Sequence, residues 1–317
     1  MPDAYVWPDR ISVPMEDGES VLSASLEAGV DFAHVCGGRA RCSTCRIRVV
    51  DGMDALSERT EREQRMAAKL DFPDEVRLAC QTRVTGPIRF GRLVLDDVDI
   101  EMASQLGKGH YTGPVGREVE PVAVLFADIA GFTAMSESLP AYDVVHVLNR
   151  YFMRAGAAVE SRGGRVDNYM GDGLLAVFGI NHEPDPALSA VQVGLELLDI
   201  AGQMDGYVSR MYTFPFQVRV GIALGDVVFG LMGAESSARE TVVGDVVNTA
   251  SRLESANKVT GTSILVTDGV HAVTRSQVDY GQRFDLHVAG KEGRVVAHEV
   301  RGLGKATTRA PGRPAAP

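Results

Sequence analysis

CGGRARCSTC, residues 36–45, places three of the chain's four cysteines within ten positions, and Cys80 follows later. The spacing is Cys36-x5-Cys42-x2-Cys45, with two glycines directly after the first cysteine. A [2Fe–2S] cluster needs four thiolates around two irons, and glycine lets a loop wrap closely around such a group. The cysteines therefore predict an iron–sulfur site in the first third of the chain.

Two plainer interpretations compete with this one, a structural zinc site and thiols without a metal. Zinc ligands usually come as two short-spaced pairs, whereas here a triplet is followed by one distant cysteine. Four clustered thiols in a chain without an export signal disfavour a disulfide framework. The spacing favours the cluster over both alternatives.

Composition narrows the class of protein and of partner. The 317 residues are enough for two domains with cores of their own. A net charge of -10 argues against nucleic acid or an anionic membrane as the main partner. The N-terminus lacks a secretory pattern, and no apolar run approaches the roughly 20 residues that span a bilayer. We expect a cytoplasmic protein without a membrane span or a nucleic-acid partner.

Changes in pattern divide the chain into four segments. Cysteines and short β-branched runs such as CRIRVV fill the first segment, and a stretch rich in glycine and acidic residues follows. Longer apolar runs then alternate with amphipathic helices, and the chain ends in Pro and Ala. We expect an iron–sulfur domain, a linker, a second domain and a disordered tail at 1–97, 98–118, 119–303 and 304–317.

Several elements are readable in detail. Thr60 and Glu63 have the spacing of a capping box at the start of a helix. FQVRVGIALGDVVFGLMG predicts a hairpin that turns at Gly225–Asp226. A later helix should carry an inward stripe of apolar residues at period 3.6, namely Val144, Leu148, Phe152, Ala155 and Val159.

Two aspartates follow or precede buried strands of the second domain. VLFADI ends near Asp128, and NYMGDGLLAVFG places Asp172 in a turn between glycines. If these strands are neighbours, the two carboxylates meet at one edge of a sheet and can hold two divalent cations for phosphoryl chemistry. The plain alternative is that Asp172 only serves the turn.

Both halves of the chain resemble known families. The cysteine spacing, together with LACQTRV around Cys80, is similar to the adrenodoxin-like branch of the ferredoxins. FADIAGFT, GGRVDNYMGDGLLAVFG, VRVGIALGDVVFG and TVVGDVVNTASRLE resemble, in this order, the catalytic domain of class III nucleotide cyclases. The resemblance implies an α+β chain with a β-grasp ferredoxin domain and a cyclase domain. The latter would have a ferredoxin-like βαββαβ core, an antiparallel sheet covered by helices.

The resemblance also implies roles for individual residues. Cys36, Cys42, Cys45 and Cys80 would hold the [2Fe–2S] cluster, and the carboxylates of Asp128 and Asp172 with the Ile129 carbonyl would hold two Mg²⁺ or Mn²⁺ ions. Arg219 would contact the polyphosphate, and Asn248 and Arg252 would orient the ribose and stabilise charge on the α-phosphate. Lys291 would hold the terminal phosphates. In this family two subunits of a homodimer share each site, one giving the aspartates and Arg219.

The base pocket departs from the family pattern. Where adenylyl cyclases have a lysine, this chain has Asn168, and the partner position is Thr241. Asn168 can donate to adenine N1 and Thr241 can accept from N6, so we favour ATP. Asn can also accept, and GTP stays open.

We therefore expect an adenylate cyclase that converts ATP to 3′,5′-cyclic AMP and pyrophosphate, regulated by its cluster through a redox donor protein. The alternatives are a guanylate cyclase with the same mechanism and an electron-transfer protein with a nucleotide-binding pseudo-cyclase domain.

Overall fold

The structure is a computed structural model that describes residues 3–7, 9–16, 18–93, 116–233, 238–287 and 294–304. The chain divides into two compact units, Met1–Arg117 and Glu118–Pro317. Most of the expected linker and nearly all of the expected tail lie outside the described residues. No helix among the described residues is long and apolar enough to cross a bilayer.

The first unit is built on a five-stranded sheet of order β2-β1-β5-β3-β4. Strands β1 and β5 pair in parallel, and the other pairs are antiparallel. Helix α1 packs its buried Val21 and Leu22 into the same apolar cluster as the strands. The elements are β1 (Asp3–Trp7), β2 (Ile11–Pro14), α1 (Val21–Glu27), β3 (Arg46–Asp51), a 3₁₀ turn (Met53–Ala55), α2 (Glu61–Leu70), β4 (Val76–Leu78) and β5 (Ile88–Arg92). The predicted β-grasp ferredoxin fold is confirmed.

Helix α2 begins as predicted, but only half of the capping box forms. The Thr60 hydroxyl accepts from the Glu63 amide at 3.3 Å. The Glu63 carboxylate instead accepts from Arg77 at 2.9 and 3.0 Å and from the Leu78 amide at 2.7 Å. Both charged side chains of this pair are buried. The pair fixes α2 to β4, which ends two residues before Cys80.

The second unit contains an eight-stranded sheet of order β12-β13-β11-β9-β6-β8-β7, with β10 paired to β9. The run β9-β6-β8-β7 at one end of this order, with helices between the strands along the chain, is the βαββαβ core predicted above. The pairs β6–β8 and β7–β8 are antiparallel, while β11 adds to β9 in parallel. The strands are β6 (Gly116–Ile129), β7 (Arg165–Met170), β8 (Gly173–Phe178), β9 (Val218–Met232), β10 (Arg239–Val243), β11 (Ile264–Thr267), β12 (Val278–His287) and β13 (Arg294–Leu303).

Helices pack on this sheet and enclose the main apolar core. In α4 the buried face runs through Val147, Tyr151, Ala155 and Val159. The predicted stripe is therefore right at its end and rotated at its start, where Val144 is only half-buried. The helices are α3 (Phe132–Ser138), α4 (Ala141–Ser161), α5 (Pro186–Tyr212), α6 (Asp245–Thr260) and α7 (Asp268–Thr274).

The hairpin turn predicted at Gly225–Asp226 is wrong, because β9 runs unbroken through both residues. Strand β10 pairs further along, with Val243 opposite Val228 and Arg239 opposite Met232. A Cβ on Gly225 would lie 3.3 Å from the Cβ of Val246. Gly225 therefore allows α6 to pack closely against β9 and does not form a turn.

Gly221 has the same function one turn of α6 later. A Cβ there would collide with the backbone of Ala250 and Glu254. Helix α6 thus lies directly on β9.

Candidate functional site

The four thiols converge in the first unit. Cys36 and Cys42 lie on the loop before β3, Cys45 directly precedes β3, and Cys80 follows β4. The side chains of Cys36 and Cys42 are in hydrogen-bonding contact, and so are those of Cys45 and Cys80. Charge interactions between Cys42 and Cys45 and between Cys36 and Cys80 link the two pairs. All four sulfurs therefore form one site.

Proton sharing within each pair separates the thiol acidities. The hydrogen bond from Cys42 lowers the pKa of Cys36 to about 4, and that from Cys45 lowers the pKa of Cys80 to about 7. The pKa of each donor thiol is raised correspondingly, with burial adding to the effect. A [2Fe–2S] cluster takes four thiolates on two irons. Two pairs of thiols, one member of each readily ionised, fit this group.

Polar side chains around the sulfurs are themselves held in place. Thr44 accepts from the Val35 amide at 3.1 Å, and its hydroxyl lies 3.1 Å from the Cys42 sulfur. The Gln81 amide nitrogen lies 3.5 Å from the Cys80 sulfur, while its oxygen accepts from the Thr60 hydroxyl at 2.9 Å. Donors beside the sulfurs of a cluster tune its potential. Nothing in the sequence indicated a role for Gln81 beyond its position next to Cys80.

The two aspartates meet at one edge of the second sheet. Asp128 is the penultimate residue of β6, and Asp172 directly precedes β8. These strands pair with Ala127 opposite Leu174, and the Asp128 carboxylate lies 3.6 Å from the position of a Cβ on Gly173. The structure thus brings both predicted metal-binding carboxylates together, with the buried Ile129 beside them.

Burial and repulsion act together on this pair. Burial first and the neighbouring Asp172 second raise the pKa of Asp128 to about 7, and Glu254 adds to the rise. Like-charged carboxylates in a partly buried site favour protonation or a bound cation. The edge therefore has the oxygen ligands and the charge that Mg²⁺ or Mn²⁺ requires.

Glu254 is a member of this site that the sequence did not reveal. It lies on α6 and is buried, and burial raises its pKa, while Arg219 opposes that rise and Asp172 adds to it. An acid within ASRLESANK reads as a surface residue of a helix. Its burial follows from the close approach of α6 to β9 at Gly221.

Arg219, near the start of β9, lies between Glu254 and a cavity. The chain just before β9 lies beside the metal edge, because the Ala130 amide donates to the carbonyl of Gln217, the residue before β9, at 2.8 Å. The cavity has a volume of about 330 Å³ and is lined in part by Ala130, Asp205 and Arg219. Arg219 therefore places a cation at a cavity that also borders Ala130, two residues after Asp128.

The other predicted phosphate contacts are less complete. Asn248 and Arg252 lie one turn apart on α6, as predicted. Asn248 is exposed, and the Nη1 atom of Arg252 is buried without a hydrogen-bond partner in the described part of the chain. Lys291 lies outside the described residues.

The two predicted base contacts lie on different strands, and each has a charged partner on the other's strand. Asn168 is on β7 and accepts from Arg239 at 3.2 Å. Thr241 is on β10 and donates to Asp167 at 2.6 Å. The sequence identified neither partner, because β10 lies off the main strand order and its proximity to β7 is a tertiary feature.

A group of Asp268, His271 and His298 has three ligand atoms within 4.8 Å of one another. The two imidazole rings stack at 4.0 Å with an angle of 6° between their planes. Nitrogen lone pairs lie in the ring planes, so one ion cannot lie in both planes. The hydrogen bond from His298 to Asp268, 2.9 Å long, instead fixes β13 to α7.

Comparisons with known proteins agree with the division of the chain into two units. A family described as the adenylate and guanylate cyclase catalytic domain matches residues 115–302, and the 2Fe-2S iron-sulfur cluster binding domain matches residues 5–85. An adenylate cyclase of Anabaena cylindrica is 33% identical over 184 residues, covering 57% of this chain and 36% of the relative. Adenylate cyclase 1 of Rhizobium meliloti is 31% identical over 206 residues, covering 62% and 30%. The chain spans about a third of the length of these relatives.

Solved structures match the second unit. The crystal structure of the guanylyl cyclase Cya2 is 31% identical with a TM-score of 0.56, covering 61% of this chain and 97% of that one. The crystal structure of the adenylyl cyclase CyaB from P. aeruginosa is 26% identical with a TM-score of 0.55, covering 60% and 97%. This chain is thus similar both to a protein named as a guanylyl cyclase and to one named as an adenylyl cyclase.

Proposed function

The chain belongs to the adenylate and guanylate cyclase catalytic domain family and carries a 2Fe-2S cluster binding domain, and from this premise we propose that it converts ATP to 3′,5′-cyclic AMP and pyrophosphate. The ribose O3′ forms a bond to the α-phosphorus, the bond from that phosphorus to the bridging oxygen breaks, and the hydroxyl proton leaves to solvent. Two divalent cations bound at Asp128 and Asp172 would activate the hydroxyl and neutralise the leaving phosphates.

The observation that carries this proposal is the meeting of Asp128 and Asp172 at one sheet edge, with burial and mutual repulsion acting on the pair. A pair held only for turn formation would not need a buried third acid, Glu254, or the facing cation of Arg219. We assign Arg219 to the polyphosphate. Phosphoryl transfer depends mainly on such positioned charges.

A second subunit completes each site in this proposal. One protomer gives the two aspartates and Arg219, and its partner gives the Asn248, Arg252 and Lys291 positions and the base pocket. The Nη1 atom of Arg252 is buried and has no hydrogen-bond partner among the described residues, which supports a role for this guanidinium in binding an anion. Two equivalent sites follow from two-fold symmetry.

We further propose that the cluster regulates turnover. The paired thiols fit the cluster, and its ligand Cys80 is joined through Gln81 and Thr60 to the start of α2. A change in the charge of the cluster would therefore act on the start of α2 through two hydrogen bonds, one from Gln81 to the Cys80 sulfur and one from Thr60 to Gln81. A redox donor protein would set the state of the cluster.

The test is product formation by anaerobically purified, cluster-loaded protein with Mn²⁺ and an equal mixture of ATP and GTP, resolved by mass spectrometry. Cyclic AMP in excess is expected, and Asp172→Asn should abolish it. Dominant cyclic GMP would overturn the choice of base alone. A verified dimer that forms neither product would sink the cyclase proposal in favour of a nucleotide-binding electron-transfer protein.

The regulatory part is tested on the same preparation. Turnover is measured with the cluster oxidised, reduced and absent, at one protein concentration. Equal rates in all three states would remove the cluster from regulation and leave the cyclase proposal intact.

A further inference from the structure

We propose that the stacked imidazoles of His271 and His298, together with the carboxylate of Asp268, form a proton-sensitive contact that holds α7 on the sheet and loosens as the pH falls. None of these three residues belongs to the cysteine site or to the carboxylate edge. The contact would therefore act beside the proposed chemistry and not within it.

The three side chains join α7 to β13. Asp268 and His271 lie on the first turn of α7, and His298 lies on β13. The Nε2 atom of His298 donates to the Asp268 Oδ1 atom at 2.9 Å. The rings of His271 and His298 stack almost in parallel, with their centroids 4.0 Å apart. Because His298 is buried, its ring contacts protein more than water.

Tyr280 on β12 forms another side of this contact. Its ring makes T-shaped contacts with both imidazoles, with centroids 4.6 Å from His271 and 6.1 Å from His298. Its hydroxyl lies 2.6 Å from the hydroxyl of Thr274, a buried residue at the end of α7. The first turn of α7 is thus joined to β13, and its last turn to β12.

Protonation of both rings should weaken the contact. A protonated imidazole donates from both nitrogens and carries a positive charge, and two like charges in a partly buried cluster repel each other. The single carboxylate of Asp268 can offset one of these charges. Two neutral rings, or one charged ring beside Asp268, are therefore compatible with the stack, whereas two charged rings are not.

The charged side chains around the rings come from three elements and their ends. They are Asp268 and Arg275 at the two ends of α7, Arg283 on β12, and Asp185 just before α5, which borders a cavity beside α7. Strand β11, which pairs with β13 at His298, has no titratable side chain. Arg275 opposes a charge on His271, so the surroundings add to the repulsion.

The direction of the pH effect follows from His271. Burial first and the charge of His298 second lower the pKa of His271 below its ordinary value of 6.5, so the folded state binds this proton less tightly than the unfolded state. The stability due to the neutral ring is therefore fully present above about pH 6.5 and is lost as the pH falls below it. The hydrogen bond from His298 lowers the pKa of Asp268 from 3.8, so this carboxylate stays ionised while His271 takes up its proton.

Helix α7 also contacts the strand that supports α6. A Cβ on Gly269 would lie 3.9 Å from the Cβ of Leu224 on β9, and a Cβ on the next residue, Gly225, would lie 3.3 Å from Val246 of α6. Asn248, one of the proposed ribose contacts, follows Val246 by two residues. We therefore expect acid to lower turnover through α7, and this part of the inference rests on the proposed function.

The test is hydrogen exchange of the full chain, followed by mass spectrometry, at about pH 7.5 and about pH 5. His271→Phe keeps a ring for the stack but cannot be charged. Comparing it with the wild type at each pH cancels the pH dependence of intrinsic exchange and the titration of Asp128, which both proteins keep. We expect equal protection of α7 at the higher pH and a loss of protection in the wild type alone at the lower pH. The control is His146→Phe, which removes an exposed imidazole that also contacts a tyrosine and should behave as the wild type.

A second variant gives an independent test should His271→Phe fail to fold. In His298→Gln the amide can still donate to Asp268 but carries no charge, so the protection of α7 should no longer fall with pH. Protection of α7 that is unchanged with pH in the wild type, or that falls equally in both variants, would overturn the proposal.

Turnover with ATP and Mn²⁺ tests the link to catalysis. The ratio of the rate at about pH 5 to that at about pH 7.5 should be lower in the wild type than in His271→Phe. Equal ratios in the two proteins would overturn this link. A lack of cyclic product at either pH would count against the cyclase proposal, whereas the exchange measurement would still decide whether protons loosen α7.

Discussion

The cysteine site and the carboxylate edge both gather ligands that repel one another when ionised, yet the chain holds the two sets differently. Cys36 and Cys42 lie on a loop, residues 31–45, that contains neither strand nor helix. Asp128 and Asp172 lie at the ends of two hydrogen-bonded strands. The thiols share protons in pairs, whereas burial and then repulsion from Asp172 raise the pKa of Asp128. We infer that the loop depends on its cluster for shape, while the sheet edge is formed before any cation binds.

The largest effect should come from the preformed edge. Asp128→Asn keeps the size of the side chain and removes its charge, so cyclic nucleotide formation should fall by about 10²-fold or more, as when one preorganised charge contact is lost. The melting temperature of the second unit, measured by calorimetry, should not fall, because a buried repulsive charge is gone. Asp199→Asn, an exposed change on α5, is the control. Full turnover in Asp128→Asn would contradict the assignment of the Asp128 carboxylate to the metal site.

The loop should show the opposite pattern. Cys80→Ser removes a ligand, so the visible absorption of the cluster should be lost together with hydrogen-exchange protection across residues 31–45. Amides of β6 and β8 should keep their protection, since the sheet holds itself. Ser43→Ala is the control on the same loop. If the loop stays protected without its cluster, it is preformed like the sheet edge, and the difference between the two sites disappears.

A charged pair beside the loop shows what the first unit supplies on its own. Glu63→Gln would leave the buried Arg77 without its carboxylate, and removing one partner of a buried ion pair costs about 3–5 kcal/mol. The free energy of unfolding of the first unit, from denaturant titration, should fall by that amount. Glu61→Gln on the same turn of α2 breaks only an exposed pair, which is worth about 0–1 kcal/mol. Equal losses in both variants would mean that the buried pair does not anchor α2.

The contrast between loop and edge also explains what the sequence could predict. Cys36, Cys42 and Cys45 could be grouped from spacing, because ligands on one loop keep a fixed separation along the chain, and Cys80 was joined to them as the one other cysteine of the sequence. The meeting of Asp128 and Asp172 needed one assumption, that two buried strands pair. Glu254, Asp167 and Arg239 were missed, since each reaches its site through the packing of α6 on β9 or the proximity of β10 to β7. The wrong prediction of a turn at Gly225 has the same origin. In the sequence, a glycine that lets a helix pack closely on a strand cannot be distinguished from a glycine that forms a turn.

The smallest predicted effect concerns pH and the metal-free edge. Asp128 has a pKa of about 7 in the folded protein against 3.8 when unperturbed, so the folded state holds the proton more tightly than the unfolded state. Its contribution to stability is fully present below about pH 3.8 and is lost as the pH rises through about 7. Metal-free protein should therefore lose stability between pH 5 and 8.5, and the loss should be smaller in Asp128→Asn.

A cation should cancel this loss, because it favours the ionised carboxylate. The measurement is the free energy of unfolding of the wild type minus that of Asp128→Asn, across the same pH range, without metal and with Mn²⁺. Without metal the difference should become less favourable to the wild type as pH rises, and with Mn²⁺ it should move the other way. A difference that is flat with pH in metal-free protein would mean that the two carboxylates do not repel. The carboxylate edge would then contain no more charge repulsion than the cysteine loop, in which each pair of thiols shares a proton.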